Sequence, residues 1–150
     1  MARCRHYLPG FRATFLGVGT LFMILAGMEL AQGVTASLAG FGVPEAVLTA
    51  PHYQDAMIWV FTHMLVFGLI IAAAGYFVEG GRARRGLARV LIASVAIFTV
   101  LDLRTSDSPL GNGLYAGVRS LVPPMIELVV LLLLTHLSFC KNATEPPPGS

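Results

Sequence analysis

Long apolar stretches separated by short polar segments dominate the sequence. Four of them, residues 11–38, 56–78, 87–103 and 123–140, come close to or exceed the roughly 20 residues that a helix needs to cross a hydrocarbon core. The pattern predicts an all-α integral membrane protein in which four spans form an antiparallel up-down bundle. We expect one transmembrane domain over residues 1–141.

The connections between the spans carry turn signals. In the first, Pro44 precedes a segment, Glu45 to Thr49, that is predicted to form a short interfacial helix. The turn at residues 79–82 contains two glycines and predicts that the second and third spans are antiparallel neighbours. Residues 103–115 are dense in turn formers, and the proline-rich tail, 142–150, is predicted to be disordered.

Composition supports the membrane assignment. The chain is 55% hydrophobic and only 12% charged, which excludes an ordinary soluble domain of this size. No basic patch suggests nucleic acid as a partner. The first apolar run is longer than the 7–15 residues of a signal-peptide core and contains Glu29 and Gln32, so we expect a retained helix.

The basic and acidic residues are distributed unequally between the two predicted sides of the membrane. The N-terminal segment, the connection at 79–89 and the tail hold eight of the ten Lys and Arg residues but two of the eight acids, a net charge of +6. The opposite side has a net charge of −4. Because Lys and Arg in short loops are retained in the cytoplasm, both termini are predicted to be cytoplasmic in a multi-pass protein of the cell membrane.

Four ionisable residues are predicted to lie in one layer of the membrane. Glu29 lies near the outer end of the first span and His63 two turns inside the second, while Asp102 is in the last turn of the third and Glu127 in the first turn of the fourth. The helical rise places all four within about 12 Å of the outer surface. Ionisable groups at this depth are costly and usually face a bundle interior or a wet cavity.

Such a layer is suited to acid/base chemistry on a lipophilic small molecule. We predict that Glu29, His63, Asp102 and Glu127 are catalytic, with a carboxylic acid as the general acid and His63 or Asp102 as the base. Trp59, Arg104 and Asn112 are predicted to bind the substrate. The sequence identifies no cofactor.

Other functions use the same residues. In an accessory or assembly subunit of a larger membrane complex, these residues would only hold the helices together. In a proton-coupled transporter that works as an oligomer, they would carry the coupling proton. A metal site would need His63 with several carboxylates, but no close-spaced ligand motif is present, so none is assigned. One haem iron could not reach both His63 and His136, which are predicted at opposite faces.

Overall fold

The computed structural model describes residues 8–106 and 122–139, and within these ranges the chain is helical, without strands. The helices are α1 (Phe11–Gln32), α2 (Val34–Leu38), α3 (Glu45–Leu48), α4 (Pro51–Phe77), α5 (Gly81–Ser106) and α6 (Val122–Phe139). The prediction of an all-helical chain is confirmed for these residues. The predicted tail lies outside them.

Three helices are long and apolar enough to cross a membrane, namely α1, α4 and α6. They correspond to the first, second and fourth predicted spans. The third, residues 87–103, lies inside α5, which at 26 residues is longer than the predicted segment. The described chain therefore has the composition and helix lengths of a membrane protein.

The first predicted span is divided in two. Gly33 adopts φ +81°, a conformation that side chains with a Cβ rarely tolerate, and it ends α1 at Gln32. Its N–H donates to the carbonyl of Glu29 at 3.1 Å. The chain turns there into α2, and the predicted short helix follows as α3.

The second span begins earlier than predicted. Pro51 occupies the first turn of α4, where its missing N–H costs no hydrogen bond. The side chain of Gln54 donates to the carbonyl of Leu48 at 3.1 Å and ties α3 to this turn. The extra turn makes α4 the longest helix, with 27 residues.

Glycine lets α1 and α4 pack backbone to backbone. A Cβ at Gly19 would lie 2.6 Å from the amide nitrogen of Ala72 and 2.6 Å from the carbonyl oxygen of Gly68. A Cβ at Gly75 would lie 2.8 Å from that of Phe15. Small residues permit such close approach between membrane helices. We call these three contacts the glycine seam.

The helices form two pairs, α1 with α4 and α5 with α6. This differs from the prediction for α4 and α5, which are joined by a short connection but pack far less extensively on each other in the described chain. The side of α4 that carries Gly68 and Gly75 packs on α1, and Gly80 at φ +85° lets the chain turn between α4 and α5. One apolar core, containing Phe15, Ile71, Leu91 and Leu134, joins all four long helices.

Arginines fasten the end of the molecule where α4 meets α5. Arg84 donates through Nε to the carbonyl of Val78 at 3.0 Å, and its Cζ lies 5.3 Å from the ring centroid of Phe11. Arg12 lies over the ring of Tyr76 at 4.8 Å. We call this the arginine end. The opposite end is the α2–α3 end.

Candidate functional site

Glu29 occupies the packed stripe of α1. The stripe recurs every three or four residues, as expected for one face of a helix, and its earlier members are apolar: Phe11, Phe15, Val18, Phe22 and Ala26. Glu29 is partly exposed as a whole, but its Oε2 atom is buried and has no hydrogen-bond partner in the described chain. Buried polar atoms are nearly always paired, so an unpaired carboxyl oxygen calls for an explanation.

The backbone around Glu29 is held firmly. Its carbonyl oxygen accepts from the N–H of Gly33 and from Oγ of Ser37, the latter at 2.9 Å. Ser37 is 1% exposed and belongs to α2. These bonds fix the carboxyl group within one turn of the end of α1 without occupying Oε2.

An apolar cap covers the α2–α3 end. Buried side chains of α2, α3, α4 and the connection between α2 and α3 form it, with partly buried neighbours that include Leu30, the residue after Glu29. The buried members are Val34, Leu38, Val43, Leu48 and Phe61. The register set by Gly19 and Ala72 places Glu29 near the level of Phe61. Tyr53, packed on this cap, has a buried hydroxyl that also lacks a partner in the described chain.

Glu127 lies on the packed side of α6 and is bonded to α5. The hydroxyl of Thr99 donates to Glu127 Oε2 at 2.8 Å and lies 2.9 Å from the carbonyl oxygen of Val95. A hydroxyl has a single proton, so the two acceptors compete for it. The carboxyl group of Glu127 therefore links α6 to α5 through a side-chain hydrogen bond.

His63 and Trp59 lie on another side of α4. Trp59 is 67% exposed, and His63 is also exposed. The side of α4 that packs on α1 carries Gly68 and Gly75. Helical geometry turns positions 59 and 63 well away from that side. The structure therefore does not bring His63 together with the buried oxygen of Glu29.

The remaining predicted residues divide into two groups. Arg104 is exposed in the last turn of α5. The side chain of Asp102 and the whole of Asn112 lie outside the described part of the chain. Within the part that is described, no group of three or more His, Cys, Asp or Glu side chains is arranged to hold a metal ion.

An open groove runs between α1 and α6. It has a volume of about 430 Å³ and is lined by residues between Pro9 and Leu21 and between Met125 and Leu133. Its lining is almost entirely apolar, and none of the predicted site residues contributes to it. Such a surface suits hydrocarbon chains rather than a polar substrate.

Sequence reasoning missed two polar groups at the α2–α3 end, Ser37 and Tyr53. Ser37 is brought to Glu29 only by the break at Gly33, and the hydroxyl of Tyr53 is buried only because α4 begins at Pro51. Gly33, four residues after Glu29, gives no periodic signal that a helix ends there. Both groups depend on where helices end, which is the least certain feature of a sequence pattern.

Comparison with known proteins finds no matching family model, no similar curated protein and no similar solved structure. Function must therefore be inferred from the residues themselves.

Proposed function

We propose that this chain is a multi-pass protein of the cell membrane with four spans, α1, α4, α5 and α6, and with both termini in the cytoplasm. Three of the helices have the length and composition of spans. The cluster of arginines at the arginine end supports its placement on the cytoplasmic side. The α2–α3 end then faces outward, and Glu29 lies near the outer surface.

We further propose that the protein binds a lipophilic molecule that donates a hydrogen bond to Glu29. The unpaired Oε2 of Glu29 carries this proposal. Leaving such an atom unpaired costs about 1–3 kcal/mol, a cost that a bound donor would remove. The rest of the side chain is partly exposed, so a rotation of the carboxyl group would present Oε2 to a ligand at the surface.

Glu127 is the second carboxyl group of the proposal. Together with Thr99 it forms a hydrogen-bonded contact between α5 and α6. If the bound molecule is also chemically altered, we assign Glu29 as the acid/base group that contacts it, whereas Glu127 belongs to the contact between α5 and α6. His63, which lies on the exposed side of α4, is not included in this site.

The test replaces Glu29 by methionine, which has a similar length and no hydrogen-bonding carboxyl group. A ligand site predicts that Glu29→Met abolishes a bound lipophile detected by mass spectrometry. Once ligand has been removed from both proteins, the variant should melt at a higher temperature than the wild type, because an unpaired buried oxygen is removed. Glu45→Met is the matched control, since Glu45 is exposed on α3. It should leave both properties unchanged.

The alternatives predict other results. If Glu29 is a fastener in an accessory subunit, Glu29→Met should lower the melting temperature or release partner proteins during purification. A proton-coupled transporter would show pH-dependent flux in liposomes that Glu127→Gln abolishes. Loss of stability in Glu29→Met, with no ligand in the wild type, would refute the binding proposal.

A further inference from the structure

Two polar side chains lie on the surface of α4 that the described chain leaves uncovered. The rings of Trp59 and His63 are stacked with centroids 5.4 Å apart, and both residues are exposed. Val66 and Ile70 continue the same side of the helix and are exposed as well. We call this surface the α4 outer face.

The position of His63 makes its exposure expensive in a membrane. It lies 12 residues after Pro51 and 14 before Phe77 in the 27-residue helix, about 18 Å and 21 Å from the two ends. A hydrocarbon core is about 30 Å thick, so the imidazole lies within it. Polar and ionisable groups at such depth normally face protein or a water-filled cavity, not lipid.

The hydrogen bond of the imidazole determines what it can bind. His63 Nδ1 lies 2.7 Å from the carbonyl oxygen of Trp59. A carbonyl oxygen only accepts, so Nδ1 carries the proton and donates. In the neutral ring Nε2 is then an acceptor. One turn away, the exposed indole of Trp59 offers an N–H that can only donate.

A second copy of the same chain complements this face. In a two-fold dimer every contact occurs twice, with residue i of one copy meeting residue j of the other and the reverse. Both copies insert in the same orientation because the same charges direct them. Their α4 helices are then parallel, and an acceptor and a donor one turn apart can meet their counterparts in two equivalent bonds.

We propose that the α4 outer face forms a parallel homodimer in which the indole N–H of Trp59 in each copy donates to His63 Nε2 of the other. Val66 and Ile70 would pack against each other below this pair of bonds. The inference rests on the membrane topology proposed above, but it does not depend on a ligand at Glu29.

Association is measured by energy transfer between labelled full-length chains in lipid vesicles at several protein densities. Trp59→Phe keeps an aromatic ring but removes the donor, and His63→Leu removes the acceptor. Each should weaken association by roughly tenfold, since two hydrogen bonds of modest strength are lost. Because both changes remove the same bonds, the double variant should associate about as weakly as either single variant.

Two controls define the interface. Phe98→Leu alters an exposed aromatic residue on α5 and should leave association unchanged. In a variant with Cys4 and Cys140 replaced by serine, Val66→Cys should cross-link copies on oxidation, whereas Leu128→Cys, exposed on α6, should not.

Several results would overturn the dimer. The first is that the wild-type chain stays monomeric at every protein density. The second is that the single variants associate as strongly as the wild type. The third is that the α4 outer face binds a different protein while the isolated chain remains monomeric. Glu29→Met should still dimerise, and Trp59→Phe should still bind the lipophile. Failure of one proposal is therefore distinguishable from failure of the other.

Discussion

Glu29 combines two properties that rarely coincide in a protein interior, a buried carboxyl oxygen and no hydrogen-bond partner in the described chain. Ser37 lies close enough to bond the backbone of Glu29 but donates to its carbonyl oxygen. The local structure is thus stabilised without satisfying the carboxyl group. This is the arrangement expected where a binding site is maintained at some cost in stability.

A substitution at Thr99 tests whether its hydrogen bond to Glu127 contributes to stability. Thr99→Val keeps the shape but removes the donor to Glu127 Oε2, and we expect a loss of about 1 kcal/mol in the free energy of unfolding. Ser94→Ala is the control, because the hydroxyl of Ser94 bonds the carbonyl of Val90 in its own helix. Equal melting temperatures for the two variants in detergent would show that the bond between α5 and α6 contributes nothing.

The identity of the candidate residues could be predicted, but their partners could not. Carboxyl groups and a histidine inside apolar runs are conspicuous in any sequence. Which way His63 points depends on which side of α4 packs, and α4 is apolar around most of its circumference. Without an apolar stripe against a polar one, the sequence does not indicate the packed face.

At the scale of helices, the glycine seam holds α1 against α4. Gly19→Ala would place a Cβ within 2.6 Å of backbone atoms that cannot rotate away. We expect a loss of about 1–3 kcal/mol, as in other overpacked interiors. Thermal unfolding in detergent measures it.

Gly27→Ala is the matched control on the same helix. A Cβ at Gly27 would have no neighbour within 4 Å, so the higher helix propensity of alanine should raise stability by up to about 1 kcal/mol. If both alanine variants change stability in the same direction, the seam does not limit the approach of the two helices.

Helix boundaries show what the sequence specifies locally. Pro44 correctly predicts the start of α3, because it is the residue directly before the helix and its ring fixes φ there at −60°. The break at Gly33 was not predicted, since glycine is tolerated inside helices and only the φ of +81° shows that it ends one. The pairing of helices depends on seams such as Gly19 with Gly68, which composition alone does not distinguish from other glycines.

The whole molecule carries its charge asymmetrically, and this asymmetry predicts its orientation. In a chain without its native cysteines, Ala46→Cys in α3 should react with a membrane-impermeant maleimide added to intact cells. Ala83→Cys in the first turn of α5 should not. Both alanines are exposed, so accessibility differs by side alone.

The side of the membrane on which the C-terminal tail lies distinguishes four crossings from three. Ala143→Cys should also be protected if α5 crosses the membrane, because four crossings return the chain to the cytoplasm. If α5 lies on the inner surface, only three helices cross and this cysteine would be labelled from outside. Labelling at position 143 would thus contradict the four-span topology while leaving α1, α4 and α6 as membrane helices.

The glycine seam also restricts how the molecule can move. Helices whose backbones touch slide or separate with difficulty, so α1 and α4 should behave as one stiff half. The apolar groove lies between that half and α6. A hydrocarbon chain that enters the groove from the bilayer should therefore move the α5–α6 pair away from α1 and α4. Spectroscopic distances between α1 and α6 should then lengthen, while those between α1 and α4 stay constant.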